Sequence, residues 1–209
     1  MLPAAKRRSH IDIAFGNITT WGPKARGYVS KSKADMLLFA ETHLGEDELQ
    51  LAELRQFMRT AGFKFAASAA KATGNGGTHG GTMAAVRKHL QANFLQDRVP
   101  LIDASAIGMR LRGLNVAVMA GYLDDQKEQL AASRANLVKL HNWAEFIKSL
   151  GVPFVLAADF NLTPDVLRDS STWLDDLGAD ILLANVELTC TAGKAGPSTT
   201  LSTAAASAP

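Results

Sequence analysis

The 209-residue chain carries 22 Lys and Arg against 20 Asp and Glu, a net charge of +2, with 47% hydrophobic and 20% charged residues. That balance excludes a wholly disordered or fibrous chain and does not by itself demand a polyanionic partner. A single cysteine, Cys190, excludes an internal disulfide, and no run of 18 apolar residues exists to span a membrane.

Residues 1–9 form a basic N-terminal arm containing Lys6-Arg7-Arg8. No apolar stretch follows it, which argues against a secretory signal and favours an intracellular location. Ile11 and Ile13 alternate with Asp12 ahead of Ala14 and Phe15, predicting a strand. Gly16, Gly22 and Pro23 then mark a loop over 16–23. The apolar run Met36–Ala40 ends in Glu41-Thr42-His43, the pattern of a buried strand with a polar tip. A helix is predicted over 46–61. Glu46, Asp47 and Glu48 suit its first turn, Leu51, Leu54, Met58 and Ala61 form its apolar face, and Gly62 stops it. Phe63 starts another strand, and five glycines within 71–81 predict a mobile or tightly turned loop.

Strands follow over 82–86, 106–112 and 114–122, the last two joined by a tight turn at Gly113. The longest helix is predicted over 126–150, with Leu130, Leu137, Leu140, Ala144 and Ile147 as its stripe. The buried strand 152–158 runs directly into Asp159-Phe160-Asn161. Thr163 and Pro164 read as N-cap and first residue of a helix reaching about Leu177. Residues 180–183 and 187–191 are candidate strands. From 192 the Gly, Ser, Thr, Ala and Pro composition predicts a flexible tail over 192–209, leaving 10–191 as the folded domain. Strands come in hairpin-like runs as well as after helices. The fold class is therefore α/β, a mixed two-sheet core with helices outside.

Two carboxylates, Glu41 and Asp159, stand at the ends of buried strands, where a rigid element holds a side chain in place. Asn17 and Asn161 occupy comparable positions. On an extended tip the two-residue spacing would aim Asn161 the same way as Asp159. Carboxylate and amide oxygens are hard ligands suited to Mg²⁺. Taken singly, each of these residues also reads as ordinary turn chemistry at a strand end.

As a set of four, they spell out a resemblance. Ile13-Ala-Phe-Gly-Asn17, Ala34-Asp-Met-Leu-Leu-Phe-Ala-Glu41-Thr-His-Leu44, Gly80-Gly-Thr-Met-Ala-Ala-Val-Arg87 and Val155-Leu-Ala-Ala-Asp159-Phe-Asn161 stand in order along the chain. Together they resemble the motifs of the endonuclease/exonuclease/phosphatase family, the DNase I-like or exonuclease III-like metal phosphoesterases. The likeness covers roughly 10–190, and the Glu-Thr-His-Leu and Ala-Asp-Phe-Asn segments are similar to retroelement-type endonucleases within the family. It implies a four-layer α/β/β/α sandwich of the DNase I-like type, here lacking its last strands, with the site at one rim between two sheets. It also implies roles. Glu41 would ligate Mg²⁺, with Mn²⁺ as the alternative, and Asn17 would support the metal or phosphate. Asp159 would orient or deprotonate the attacking water, Asn161 would hydrogen-bond the phosphate or the attacking group, and Tyr122 would stand near the phosphate. Rim packing is an equal reading of Tyr122.

The sequence also departs from the pattern. Pro197-Ser-Thr-Thr-Leu201 resembles the lead into the family's late catalytic strand, but Ser202 stands where Asp is expected, and no Asp-His dipeptide occurs. This predicts a C-terminally incomplete site. Among the histidines, His43 and His79 sit nearest the presumed site, and both read as solvated or flexible residues. The basic group Lys24, Arg26, Lys31 and Lys33 falls after Asn17 in the presumed loop, where it could track a phosphate backbone. The expected function is a Mg²⁺-dependent phosphodiesterase domain acting on nucleic acid. A small-molecule or lipid phosphoester substrate, a catalytically inactive remnant or binding domain, and an unrelated α/β protein remain as alternatives.

Overall fold

Alternating side chains decide how this chain layers. The computed structural model describes residues 10–74, 76–95, 100–125, 129–162, 165, 167, 173–183 and 202–206. One sheet contains β1 (Ile13–Asn17), β2 (Met36–Ala40), β3 (Phe63–Ser68) and β6 (Thr82–Arg87), in the order β1-β2-β6-β3. Between β3 and β6, β4 (Lys71–Ala72) and β5 (Thr78–His79) form a small hairpin. The second sheet contains β7 (Asn93–Phe94), β8 (Ala104–Leu111), β9 (Leu114–Tyr122), β10 (Phe154–Asp159), β11 (Ala179–Leu183) and β12 (Ser202–Ala206), in the order β11-β12-β10-β9-β8-β7.

Each central strand splits its residues between two cores. On β2, Met36 and Leu38 enter a cluster with Ala84 and Val86 of β6, Val118 and Ala120 of β9, and Ala157 of β10. That cluster is the layer between the sheets. The intervening Leu37 and Phe39 pack with Ala25 and Val29 of α1 (Pro23–Lys31) and with Leu54 and Met58 of α2 (Glu48–Thr60). In the same way Ala117 and Met119 of β9 and Leu156 and Ala158 of β10 pack on Leu140, Trp143 and Ile147 of α3 (Gln129–Leu150) and on Leu174 of α4 (Trp173–Leu177). Period-two alternation thus yields the four layers α/β/β/α. No helix among the described residues is long and apolar enough to cross a membrane.

Most predicted elements are present, and the differences have physical causes. Pro23 lies at the start of α1 rather than ending a loop, since its fixed φ and missing N–H suit the first helical turn. Lys24, Arg26 and Lys31 therefore lie on a helix, not in a loop. Asp47 is the N-cap of α2, its carboxylate accepting from Gln50 N at 2.8 Å, so the helix starts two residues later than predicted. Arg112 and Gly113 take φ of 47° and 92°, the paired left-handed residues of a two-residue hairpin turn between β8 and β9. Leu140, Ala144 and Ile147 of the predicted α3 stripe are buried as expected, but the inward face differs at its other positions. Leu137 is exposed, while Asn136, Lys139 and Trp143 face inward. Ser202–Ala206, predicted as tail, is strand β12, paired antiparallel with both β10 and β11. The candidate strand 187–191 and the Thr163-Pro164 helix start lie outside the described residues.

Candidate active site

Four strand ends meet at one rim. β1 and β2 run parallel with Asn17 opposite Ala40, and β9 and β10 run parallel with Tyr122 opposite Asp159. On β9 and β10 the inter-sheet residues are Val118, Ala120 and Ala157, so the same alternation turns Tyr122 and Asp159 toward the inter-sheet side. Phe15 packs into that layer as well, which puts Asn17 in phase with it. Glu41 would be out of phase on an extended strand. Its φ of 53° breaks the alternation, and its carboxylate accepts a hydrogen bond from the Tyr122 phenol.

The cluster is knitted across both sheets. Asn17 Nδ2 donates to Asp159 Oδ2 at 2.7 Å, while Asn17 Oδ1 accepts from Thr19 N at 3.1 Å, which fixes the orientation of the amide. Asp159 is buried, and its other oxygen accepts from Asn161 N at 3.4 Å. Asn161 has φ of 46°, so the tip is a left-handed turn and not the extended segment predicted. Its Nδ2 donates to Leu123 O at 2.7 Å, tying the tip of β10 to the exit of β9. Asn17, Glu41, Tyr122, Asp159 and Asn161, distant in sequence, are thus brought together. Of the seven non-glycine residues with positive φ among the described residues, Thr19, Glu41, His43, Asp103 and Asn161 stand at or beside this rim, a concentration of backbone strain that accompanies functional sites.

The electrostatics are those of an anionic pair short of positive charge. Burial, opposed by the Asn17 hydrogen bond and reinforced by the Glu41 carboxylate, pushes the Asp159 carboxyl above its ordinary value. Burial and then the Glu41 charge push the Tyr122 phenol far upward, so it stays protonated and serves as a donor. The donor set is two carboxylates and an amide oxygen, all hard. That fits Mg²⁺ or Mn²⁺, which take one or two protein carboxylates and complete their shells with water and phosphate oxygens. It does not fit a closed zinc site, and no group of three or more His, Cys, Asp or Glu among the described residues is placed to hold an ion.

Several rim residues escaped the sequence reading. Lys139 of α3 is 2% exposed, with Nζ 2.7 Å from Asp103 Oδ2, 2.8 Å from Asp124 Oδ1 and 5.6 Å from the Tyr122 ring centroid. Lys71 Nζ lies 2.6 Å from the same Asp103 oxygen. Burial raises the Asp103 carboxyl, but hydrogen bonds and charge from the two lysines outweigh it and hold the group below its ordinary value. Asn136 clamps the loop after Tyr122, accepting from Asp124 N at 2.8 Å and donating to Asp124 O at 3.0 Å. A signal existed, since Asn136, Lys139 and Trp143 fall on one helical face, but two polar residues there disguise an inward stripe. His43 is half-buried and lines a 270 Å³ cavity with Trp21, Arg26 and Thr42, and His79 is half-buried in β5, so neither is the solvated residue predicted.

No family model matches the chain, and no curated protein matches it in sequence. Solved structures do resemble it. The endonuclease domain of TRAS1, a telomere-specific non-LTR retrotransposon, aligns with a TM-score of 0.63 at 15% identity, over 94% of this chain and 85% of that one. A β-hairpin deletion mutant of beta toxin from Staphylococcus aureus gives 0.63 at 11% identity, over 97% and 90%. D. rerio TDP2 complexed with a single-strand DNA product gives 0.51 at 17% identity, over 83% and 69%. At these identities the likeness concerns architecture, and with the layer order above it shows that this chain has the DNase I-like fold.

Proposed function

We propose that the chain is a Mg²⁺-dependent phosphodiesterase domain of endonuclease type, acting on nucleic acid, with a weakened site. The observation that carries this reading is the convergence of Asn17, Glu41, Tyr122, Asp159 and Asn161 in one hydrogen-bonded cluster across two sheets. Mg²⁺ or Mn²⁺ held by Glu41 and supported by Asn17 would supply charge neutralisation at a phosphate oxygen. Asp159, its proton affinity raised by burial, accepts a proton from the attacking water. Asn17 Nδ2 holds Asp159 Oδ2 in place during that transfer. Tyr122 stays neutral, its one O–H held by the Glu41 carboxylate, and would donate to a phosphate oxygen only by exchanging that partner when Glu41 turns to the metal. Asn161 holds the turn after β10 through Leu123 O, leaving its Oδ1 as the group that would accept from the attacking water. Phosphoryl transfer needs positioning and electrostatic stabilisation above all, which such a rim supplies.

The reading of a catalytically inactive remnant or binding domain rests on a different observation. Ser202 pairs opposite Ala158, one residue from Asp159, where the family resemblance implies a carboxylate, and no Asp-His dipeptide occurs in the 209 residues. General acid–base groups and electrostatic stabilisers each contribute about 10²–10³-fold, so little turnover is expected from this chain. Nicked-plasmid formation by residues 1–209 in Mg²⁺, compared with Glu41→Ala and Ser202→Asp, separates the two. Nicking lost in Glu41→Ala supports the enzyme. A parent indistinguishable from Glu41→Ala supports the inactive copy, and a gain in Ser202→Asp would locate the missing group. Parallel assays on abasic and single-stranded DNA and on small phosphodiesters identify the substrate class.

A further inference from the structure

A groove of about 580 Å³ runs along edge strand β3, between α2 and β7, away from the rim. Its ends follow from register. Phe63 pairs with Arg87 at the end of the sheet opposite the rim, and Ser68 pairs with Thr82 at the rim end. β3 is also two strands from β2, about 10 Å sideways at ordinary strand spacing. The groove is therefore distinct from the Glu41–Asp159 cluster.

Its lining is cationic. Arg55 and Arg59 stand one turn apart on α2 and share a face, Lys64 is exposed on β3, and Lys88 follows β6. Lys88 Nζ donates to Arg59 O at 2.7 Å and Lys64 Nζ to Ala92 O at 3.1 Å. Those bonds fix two ammonium groups without neutralising them. No acidic residue is among the described residues lining the groove. The nearest carboxylate contact is Glu48 with Arg55 at 3.9 Å, an exposed pair of little strength. Among these charges Phe94 is 56% exposed, a large aromatic surface on a two-residue edge strand. Four like charges around one aromatic face repel one another in the free protein. A strand of phosphates with bases between them relieves that repulsion and gives the ring a stacking partner.

We infer that this groove is a second nucleic-acid contact that takes one single strand, with phosphates on Arg55, Arg59, Lys64 and Lys88 and a base stacked on Phe94. A duplex keeps its bases paired and would leave Phe94 without a partner. The inference goes beyond the rim and holds whether or not the rim cleaves.

The test is anisotropy of a fluorescent oligothymidylate of about 12 nucleotides, in EDTA, across a salt series. Neutralising two of the four cations, Arg55→Ala with Arg59→Ala, lowers the steepness of log K against log salt by about 1.4, at about 0.7 per phosphate contact on a single strand. Phe94→Ala weakens binding about 5- to 150-fold without changing that slope. An iodouracil-substituted strand crosslinks to the peptide containing Phe94. An unchanged slope in the double variant, crosslinks confined to the rim, or equal affinity for a poly-glutamate peptide of matched charge would overturn the inference. Groove-dependent binding without Mg²⁺-dependent nicking would overturn the rim reading and leave this one standing. Nicking without groove-dependent binding would do the reverse.

Discussion

Lys139 is the least expected residue of the rim. A lysine 2% exposed persists because Asp103, Asp124 and the Tyr122 carbonyl surround its ammonium group. Removing one partner of a buried ion pair strands the others, at a cost of about 3–5 kcal/mol. Lys139→Met should fall near the lower bound, because Lys71 still pairs with Asp103, and urea unfolding measures it. The two shifted carboxyls give opposite pH signatures. The Asp103 carboxyl lies below its ordinary 3.8, so its contribution is complete above 3.8 and lost as pH falls through the lowered value. Asp103→Asn should accordingly flatten the acid limb of stability against pH. Asp159 lies above its ordinary 3.8, so its ionisation costs stability as pH rises through the raised value. Asp159→Asn should be more stable than the parent at pH 7, with the difference shrinking toward pH 3. Mg²⁺ should offset the same cost, raising the thermal midpoint of the parent and not of Glu41→Gln.

The elements show what a sequence can and cannot disclose. Met36–Ala40 and the run into Asp159 were legible because continuous apolar strands ending in polar residues leave few alternatives. Asn17, Glu41 and Asp159 were legible with them, as strand tips. α1 was not, because a nine-residue helix with Gly27 inside and only Ala25 and Val29 buried has almost no periodic signal. β12 was hidden for another reason. Ser-Thr-Ala-Ala-Ala has weak strand propensity, and its pairing with β10 and β11 is a tertiary effect. Lys139 and Asp103 meet only through α3 docking on the second sheet, a contact that no local pattern encodes. That docking also yields an element-scale prediction. A Cβ on Gly121 of β9 would lie 2.6 Å from Trp143 Cη2 of α3, too close for either to keep its place. Gly121→Ala should destabilise by about 1–3 kcal/mol, and denaturant titration with the Trp143 emission shift reports it.

At the scale of the whole molecule, the shared layer between the sheets couples the two halves. Met36, Leu38 and Val86 from one sheet and Ile107, Met109 and Val118 from the other form one core, so neither sheet keeps its inner face dry alone. Trp21 sits in the outer core of the first sheet and Trp143 in that of the second. Fluorescence of Trp143→Phe/Trp173→Phe, which leaves Trp21, and of Trp21→Phe should therefore give coincident unfolding curves once each is scaled to its own midpoint, and separated transitions would show independent halves. The position of β12 has a consequence for folding. The latest of the described strands sits between β10 and β11, not at a border of its sheet. A nascent chain that has emerged only through residue 183 holds β10 with one side unpaired and β11 with no neighbour in the final order. Those backbone groups stay open to any other strand until residues 202–206 arrive. Closure of this sheet therefore waits on residues 202–206, and any species in which they are not yet docked exposes unpaired strand edges to mispairing with other chains.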